Sequence, residues 1–153
     1  MTWLFARRLR DERGLASIEF AILAPVLLLL LGSLADFSLM FWSQGVLASS
    51  VAQGAQYAFF AGPNVSASTI QSIVGQKLSL PSSAITIAGP GCSCVSGTPA
   101  MATSQACGNP CPNGVMPGTY VTISARYQYI SILPLYSRLA NPVLVDTMIA
   151  RLK

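Results

Sequence analysis

Every position from Phe20 to Leu31 is apolar, with Pro25 in the middle of the run. The wider stretch from Gly14 to Leu31 reads GLASIEFAILAPVLLLLL, and apolar character continues to about Trp42. A membrane-spanning helix needs roughly 20 predominantly apolar residues. The stretch therefore predicts a spanning helix. Pro25 removes a backbone donor and crowds the preceding turn, so the helix is expected to kink or loosen there. Membrane helices tolerate this better than soluble ones.

Beyond Asp36 the chain reads FSLMFWSQGVLASSVAQGAQYAFFAG, and the pattern predicts that the helix continues to about Phe60. Phe37, Phe41, Ala48, Val51, Ala55 and Ala58 recur at helical spacings and define an expected apolar stripe. Ser49, Gln53 and Gln56 mark the polar side. Gly45, Ala48, Ala52, Gly54, Ala55 and Ala58 are small enough to admit close neighbours, whether another subunit or the protein's own domain. From Leu15 to Phe60 such a helix runs about 70 Å at 1.5 Å per residue. That is roughly twice a bilayer core, so only its first half can lie in lipid.

Gly62-Pro63-Asn64 reads as the end of the helix. A short second helix is predicted over Ser66 to Leu78, with Ile70, Ile73, Val74 and Leu78 on one face and Ser66 or Ser68 as cap. Ala84 to Ala88 alternates and predicts a strand. Residues 89–118 are rich in Gly, Pro, Ser and Thr and read as a long loop. Tyr120 to Leu133 gives the clearest strand pattern, with Val121, Ile123, Ala125 and Tyr127 alternating against Tyr120, Thr122, Ser124 and Arg126, and Pro134 closing it. Val143 to Leu152 is a further strand candidate on the shared parity of Val143, Val145 and Ile149, with helix as the alternative. The expected fold is α+β: a long N-terminal helix, transmembrane in its first half, then a small globular domain with a short helix and a small, mainly antiparallel sheet. The expected divisions are a leader over 1–14, the helix over 15–60 and an extracytoplasmic domain over 61–153.

Composition sharpens this picture. Only 9% of residues are charged, against about 25% in an ordinary soluble domain. That deficit fits a chain partly in lipid or in a packed assembly. Four of the nine basic residues, Arg7, Arg8, Arg10 and Arg13, precede Gly14. By the positive-inside rule they place the N-terminus in the cytoplasm. The remaining basic residues are scattered, so no nucleic-acid stripe is present. The absence of histidine removes Ser-His and Cys-His catalysis and most zinc hydrolase designs. Glu19 and Asp36 would stand about 25 Å apart along a helix, too far for an acid–base pair. No phosphate-binding glycine loop of the right spacing occurs. An enzyme, a cofactor and a metal site are not expected. Cys92, Cys94, Cys107 and Cys111 follow a C-x-C, C-x-x-x-C pattern that lacks the usual zinc knuckle spacing. Two disulfides between the pairs are favoured over zinc, in an oxidising compartment. Both connectivities stay open: Cys92–Cys107 with Cys94–Cys111, or Cys92–Cys111 with Cys94–Cys107.

Glu19 is the residue a plain anchor does not explain. A carboxylate in hydrocarbon costs on the order of 2.5 kcal/mol or more. Its setting is a basic leader, Gly14, then LASIEF running into the apolar helix. This resembles the type IV prepilin pattern, which implies cleavage after Gly14 by a prepilin peptidase, with Leu15 first and Glu19 fifth in the mature chain. RGLASIEFAILAPVLLLLLGSLADF followed by QGVLASSVAQGAQYA is similar to the TadE-like family, minor pilins of the tight-adherence (Tad/Flp) pilus. Gly14, Glu19, Phe20, Pro25, Gly32, Gln44 and the Gly54-Ala55-x-Tyr57-Ala58 block carry the resemblance over residues 13–58, whereas Asp36 and Ser38 depart from its usual Glu and Gly. The cysteine loop is not a general family feature.

The resemblance implies a structural pilin or pseudopilin in the bacterial inner membrane, then in a surface pilus. It also implies that Glu19, beside Phe20, pairs with the free amino terminus of a neighbouring subunit. The implied partners are the peptidase, other pilin subunits through the helix, the inner-membrane assembly platform and membrane lipid, with no nucleic acid. The alternatives are a bitopic membrane protein with an extracytoplasmic ligand- or protein-binding domain, and a secreted protein cut after Ser33-Leu34-Ala35. Against the latter stand Glu19 and the apolar residues past Asp36.

Overall fold

A single helix, α1 (Glu12–Ala61), runs through the apolar stretch and on into the domain. The computed structural model describes residues 12–133 and 142–152, with side chains from residue 17 onward. The leader expected over 1–14 therefore lies outside the described residues up to position 11. Pro25 sits inside α1 without ending it. It takes the usual backbone donor away from the Ala21 carbonyl. Ser33 keeps its own polarity satisfied within the apolar stretch, its Oγ donating to the Leu29 carbonyl at 2.7 Å. The helix ends as expected at Gly62, whose φ of 61° suits a glycine terminator, and Gly62–Asn64 form a 3-10 turn.

The chain divides between Leu39 and Met40 into two units. In the first, the large apolar side chains are not packed: Ile18, Phe20, Ile22, Leu23, Val26 and the run of leucines from Leu27 to Leu31 are all exposed.

The second unit is an α+β domain. After α1 come α2 (Ala67–Gly75), β1 (Ile85–Ser96), β2 (Met101–Ser104), β3 (Gly118–Gln128) and β4 (Val143–Arg151). The strands form one sheet in the order β2-β1-β3-β4, every neighbouring pair antiparallel. The core joins Leu47, Val51 and Ala58 of α1, Ile70 and Val74 of α2, and Ile85, Val121, Ile123, Ala125, Ala150 and Leu152 from the sheet side. Val121, Ile123 and Ala125 are inward-facing on β3, as the alternation predicts.

The structure revises the expectations at five points. First, residues 89–118 are not one loop: β1 continues to Ser96 and pairs with β2 across a turn at 97–100, and the irregular stretch begins after Ser104. The Gly89-Pro90 break is absorbed by a shift of register between Ala88 and Gly91, where β1 carries an extra residue against β3. Second, at 143–152 the strand forms rather than the helix, and the parity of Val143 and Val145 is its outer face. Val143 and Val145 are exposed, while Leu144, Ala150 and Leu152 belong to the core side. The register explains this: Val145 lies opposite Arg126 and Thr147 opposite Ser124, on the outer face, where Thr147 Oγ1 donates to Ser124 Oγ at 2.9 Å. Third, the buried face of α1 is Leu47, Ser50, Val51, Gly54 and Ala58, not a stripe beginning at Phe37 and Phe41, which are exposed. Ser50 can enter the core because its Oγ donates back to the Val46 carbonyl at 2.8 Å. Fourth, Ser66 is the N-cap of α2 by position but makes no side-chain cap bond; its Oγ instead meets Ser68 Oγ at 2.9 Å. β3 also stops at Gln128, earlier than Leu133, and Tyr129 N donates to the Pro142 carbonyl at 3.1 Å.

Candidate functional site: the apolar helix, its acid and the stapled loop

Glu19 is exposed, in the first turns of α1 that the sequence leaves after Gly14. Gly14 and Leu15 lie on the same helix. Positions three and four away from Glu19 are Leu15, Ala16, Ile22 and Leu23, all apolar. These are its neighbours along one helix face. By sequence, none of these four positions offers the carboxylate a polar side chain. Phe20 beside it is 72% exposed. The most apolar window of the helix has none of its residues buried, and the helix is long and apolar enough to cross a membrane by length and composition. An outward-facing apolar surface of this extent marks contact with lipid or with other chains. Asp36, by contrast, is buried.

At the other end of the chain the cysteines form a second feature. Cys92 and Cys94 are two apart on β1 and so share one face. Cys107 and Cys111 come from the irregular segment after β2. The bridges are Cys92–Cys107 and Cys94–Cys111, with Cα separations of 5.2 and 5.8 Å. The two links interleave and tie the segment onto that strand face twice. Inside it, Cys111 N donates to the Val115 carbonyl and Gly114 N to the Cys111 carbonyl, both at 2.8 Å. Of the two connectivities the sequence left open, this is the one present. Cys94 and Cys111 are buried, and no cysteine is free. Among the described residues no cluster of three or more His, Cys, Asp or Glu is arranged to hold a metal ion.

The two features are chemically different. One is an outward apolar surface with a single carboxylate. The other is a segment stapled by two disulfides, of the kind found in oxidising compartments. Sequence reasoning singled out Glu19, Phe20 and all four cysteines. It named Val51 and Ala58 in an apolar stripe and Gly54 among the small residues, but missed Leu47, which completes the Leu47-Val51-Gly54-Ala58 seam that seats α1 in the domain. The signal was available, since these positions recur at spacings of four and three.

A long exposed apolar helix leading into a disulfide-stapled α+β domain defines the class: a membrane-anchoring chain with a domain built for an oxidising compartment. Residues 14–56 match the model of the TadE-like protein family, so the N-terminal segment of this chain is similar to that family. The match covers Gly14, Glu19 and, of the residues that seat α1 in the domain, Leu47, Val51 and Gly54 but not Ala58; it stops short of the sheet and the cysteines. No curated protein and no solved structure matches the chain.

Proposed function

We propose that the protein is a structural minor pilin or pseudopilin of a Tad/Flp-type pilus. It is held first in the bacterial inner membrane by α1, N-terminus in the cytoplasm and disulfide-bearing domain outside, and then enters a surface pilus that serves adherence. The observation that carries this is the placement of Glu19 on an exposed apolar helix face, five residues after Gly14, inside the TadE-like match.

The physical argument joins two steps. A prepilin peptidase cutting after Gly14 releases the basic leader and creates an α-amino cation at Leu15. A carboxylate in a low-dielectric setting is costly alone and tolerable when paired. Glu19 then offers the partner for the amino terminus of a neighbouring subunit, held against the same apolar surface. The same carboxylate sits in the first turns of the shortened helix, where the helix dipole favours negative charge. The inner-membrane assembly platform would draw such subunits into the fibre. The role is structural rather than catalytic.

Intact-mass measurement of the membrane-extracted protein, from cells with and without the prepilin peptidase, tests this reading. A chain beginning at Leu15 only where the peptidase is present is expected. A chain that keeps its leader in both strains is a plain bitopic anchor, and one beginning at Asp36 is a secreted protein.

A further inference from the structure

Beyond the spanning stretch, α1 carries an exposed aromatic pair, Phe41 at 69% and Trp42 at 73% exposure. They border a shallow depression of about 380 Å³ whose other walls are Gly45, Val46, Ser49 and Lys77. Trp42, Gly45, Val46 and Ser49 follow helical spacings of three, four and seven, so they form one face of α1. A Cβ built on Gly45 meets nothing within 4 Å, so the floor of the depression is open. Lys77, exposed just after α2, supplies its one cation. All of these residues belong to the second unit.

From these observations we infer that this depression seats the headgroup of an anionic phospholipid and fixes the domain on the outer leaflet of the membrane that α1 spans. The inference rests on α1 being membrane-spanning. Three observations choose a lipid surface as the occupant. First, the aromatic pair ends the apolar run in the sequence, with Trp42 twenty-two residues after Phe20, where a spanning helix needs roughly 20 residues. A segment of that length spans the bilayer core, so Trp42 falls at the interface, where tryptophan is enriched for its apolar body and polar N–H. Secondly, an apolar wall with a single ammonium at its edge matches an acyl-glycerol body with a phosphodiester. Thirdly, the second unit contains five basic residues, Lys77, Arg126, Arg138, Arg151 and Lys153, and one acid, Asp146. Its net charge of +4 is attracted to an anionic surface.

The full chain in lipid nanodiscs tests this, with phosphatidylcholine alone or mixed with phosphatidylglycerol. Two readouts are taken. One is acylation of the Lys77 amine by a water-soluble ester, located by peptide mass. The other is quenching of Trp42 by lipids brominated near the headgroup, in a Trp3→Phe background. Lys77 labelling should slow about fivefold when phosphatidylglycerol is present, as expected for one lysine at an anionic surface. Trp42 should be quenched by the brominated lipid, more strongly with phosphatidylglycerol, and Lys77→Gln should abolish that increment. Because Lys77 is exposed, this variant keeps the fold. Equal labelling of Lys77 in both lipids overturns the inference, as does a Trp42 that brominated lipid does not quench. Protection of Lys77 that arises only in discs holding two copies also overturns it, and assigns the depression to a second subunit. No pilus or peptidase enters the measurement, so its failure is separate from a failure of the pilin reading.

Discussion

Gly54 of α1 lies against Val74 of α2 so closely that a Cβ on Gly54 would stand 2.8 Å from Val74 Cγ2 and 3.3 Å from Ile70 Cγ2. Val74 and Ile70 are fully buried and β-branched, so their methyl groups have little freedom to retreat. Gly54 thus sets the approach of the two helices and belongs to the part of the chain that matches the TadE-like family. Gly54→Ala should destabilise the domain by about 1–3 kcal/mol through overpacking, partly offset by up to about 1 kcal/mol of helix propensity. Val74→Ala added to Gly54→Ala should cost less than the two singles together, because it restores the space. Denaturant unfolding of the full chain in detergent checks both. A Gly54→Ala chain as stable as its parent removes Gly54 from this role.

Gly89 makes a parallel point in the sheet. Its φ is +108°, and a Cβ there would stand 2.6 Å from the Tyr120 carbonyl oxygen on β3. Both features exclude a side chain, and the neighbour is backbone, which cannot rotate away. At Gly91, two residues on, a Cβ meets nothing within 4 Å. Gly89→Ala is expected to lower stability by on the order of 2 kcal/mol, and Gly91→Ala by much less. Unfolding of the two variants side by side checks the contrast, and equal effects would dissolve it.

The disulfides allow a direct chemical check. Non-reducing peptide mapping should link Cys92 with Cys107 and Cys94 with Cys111, and intact mass should fall by about four hydrogens from the reduced chain. Each closes a segment with a sequence separation of 15 or 17. On the chain-entropy model such a loop contributes about 3 kcal/mol. Replacing Cys92 and Cys107 together by Ser should lower stability by roughly that amount. The cross-paired peptides, or four free thiols, would contradict the structure.

Much of this fold is legible in the sequence, for identifiable reasons. The run of leucines before Gly32 and the alternation at Val121, Ile123 and Ala125 are strong because one environment dictates every position in each. The sheet beyond Ala88 is not legible, since Gly89, Pro90 and Gly91 read as breakers and only the pairing with β3 and β2 shows that a bulge absorbs them. In β4 both parities are apolar, Val143 and Val145 on one and Leu144 and Ala150 on the other, so alternation leaves the inward face undecided and the register with β3 decides it. On α1, Phe37 and Phe41 extend the periodic pattern by size and hydropathy, yet they are exposed. The buried seam uses a serine that bonds its own backbone and a glycine, two residue types that hydropathy counts as polar or neutral. For the candidate site, Glu19 is legible because a carboxylate there is unfavourable for an anchor. Trp42 and Lys77 are not, because α2 must fold before they line one depression.

Glu19 carries the sharpest prediction for the proposed pilin role. Glu19→Ala removes a charge from an apolar helix, so insertion should become easier, by on the order of 2.5 kcal/mol on insertion scales. A carboxylate that had no partner in the assembly would leave piliation unchanged or improved after this substitution. If Glu19 pairs with the amino terminus of a neighbouring subunit, the substitution instead strands that cation in a low-dielectric contact. Removing one member of a buried pair typically costs about 3–5 kcal/mol. At about 1.4 kcal/mol per tenfold, recruitment should fall by more than a hundredfold. Glu19→Gln separates charge from shape, since it keeps the hydrogen-bonding side chain and loses the anion; it should fail nearly as badly. Gly14 is untouched in both variants, which keeps processing distinct from docking. Membrane fractionation, mature-chain mass and piliation, scored in one strain, give the answer. Inserted, cleaved and absent from pili is the expected outcome for both variants. Normal pili from a cleaved Glu19→Ala chain would leave the carboxylate without the pairing role.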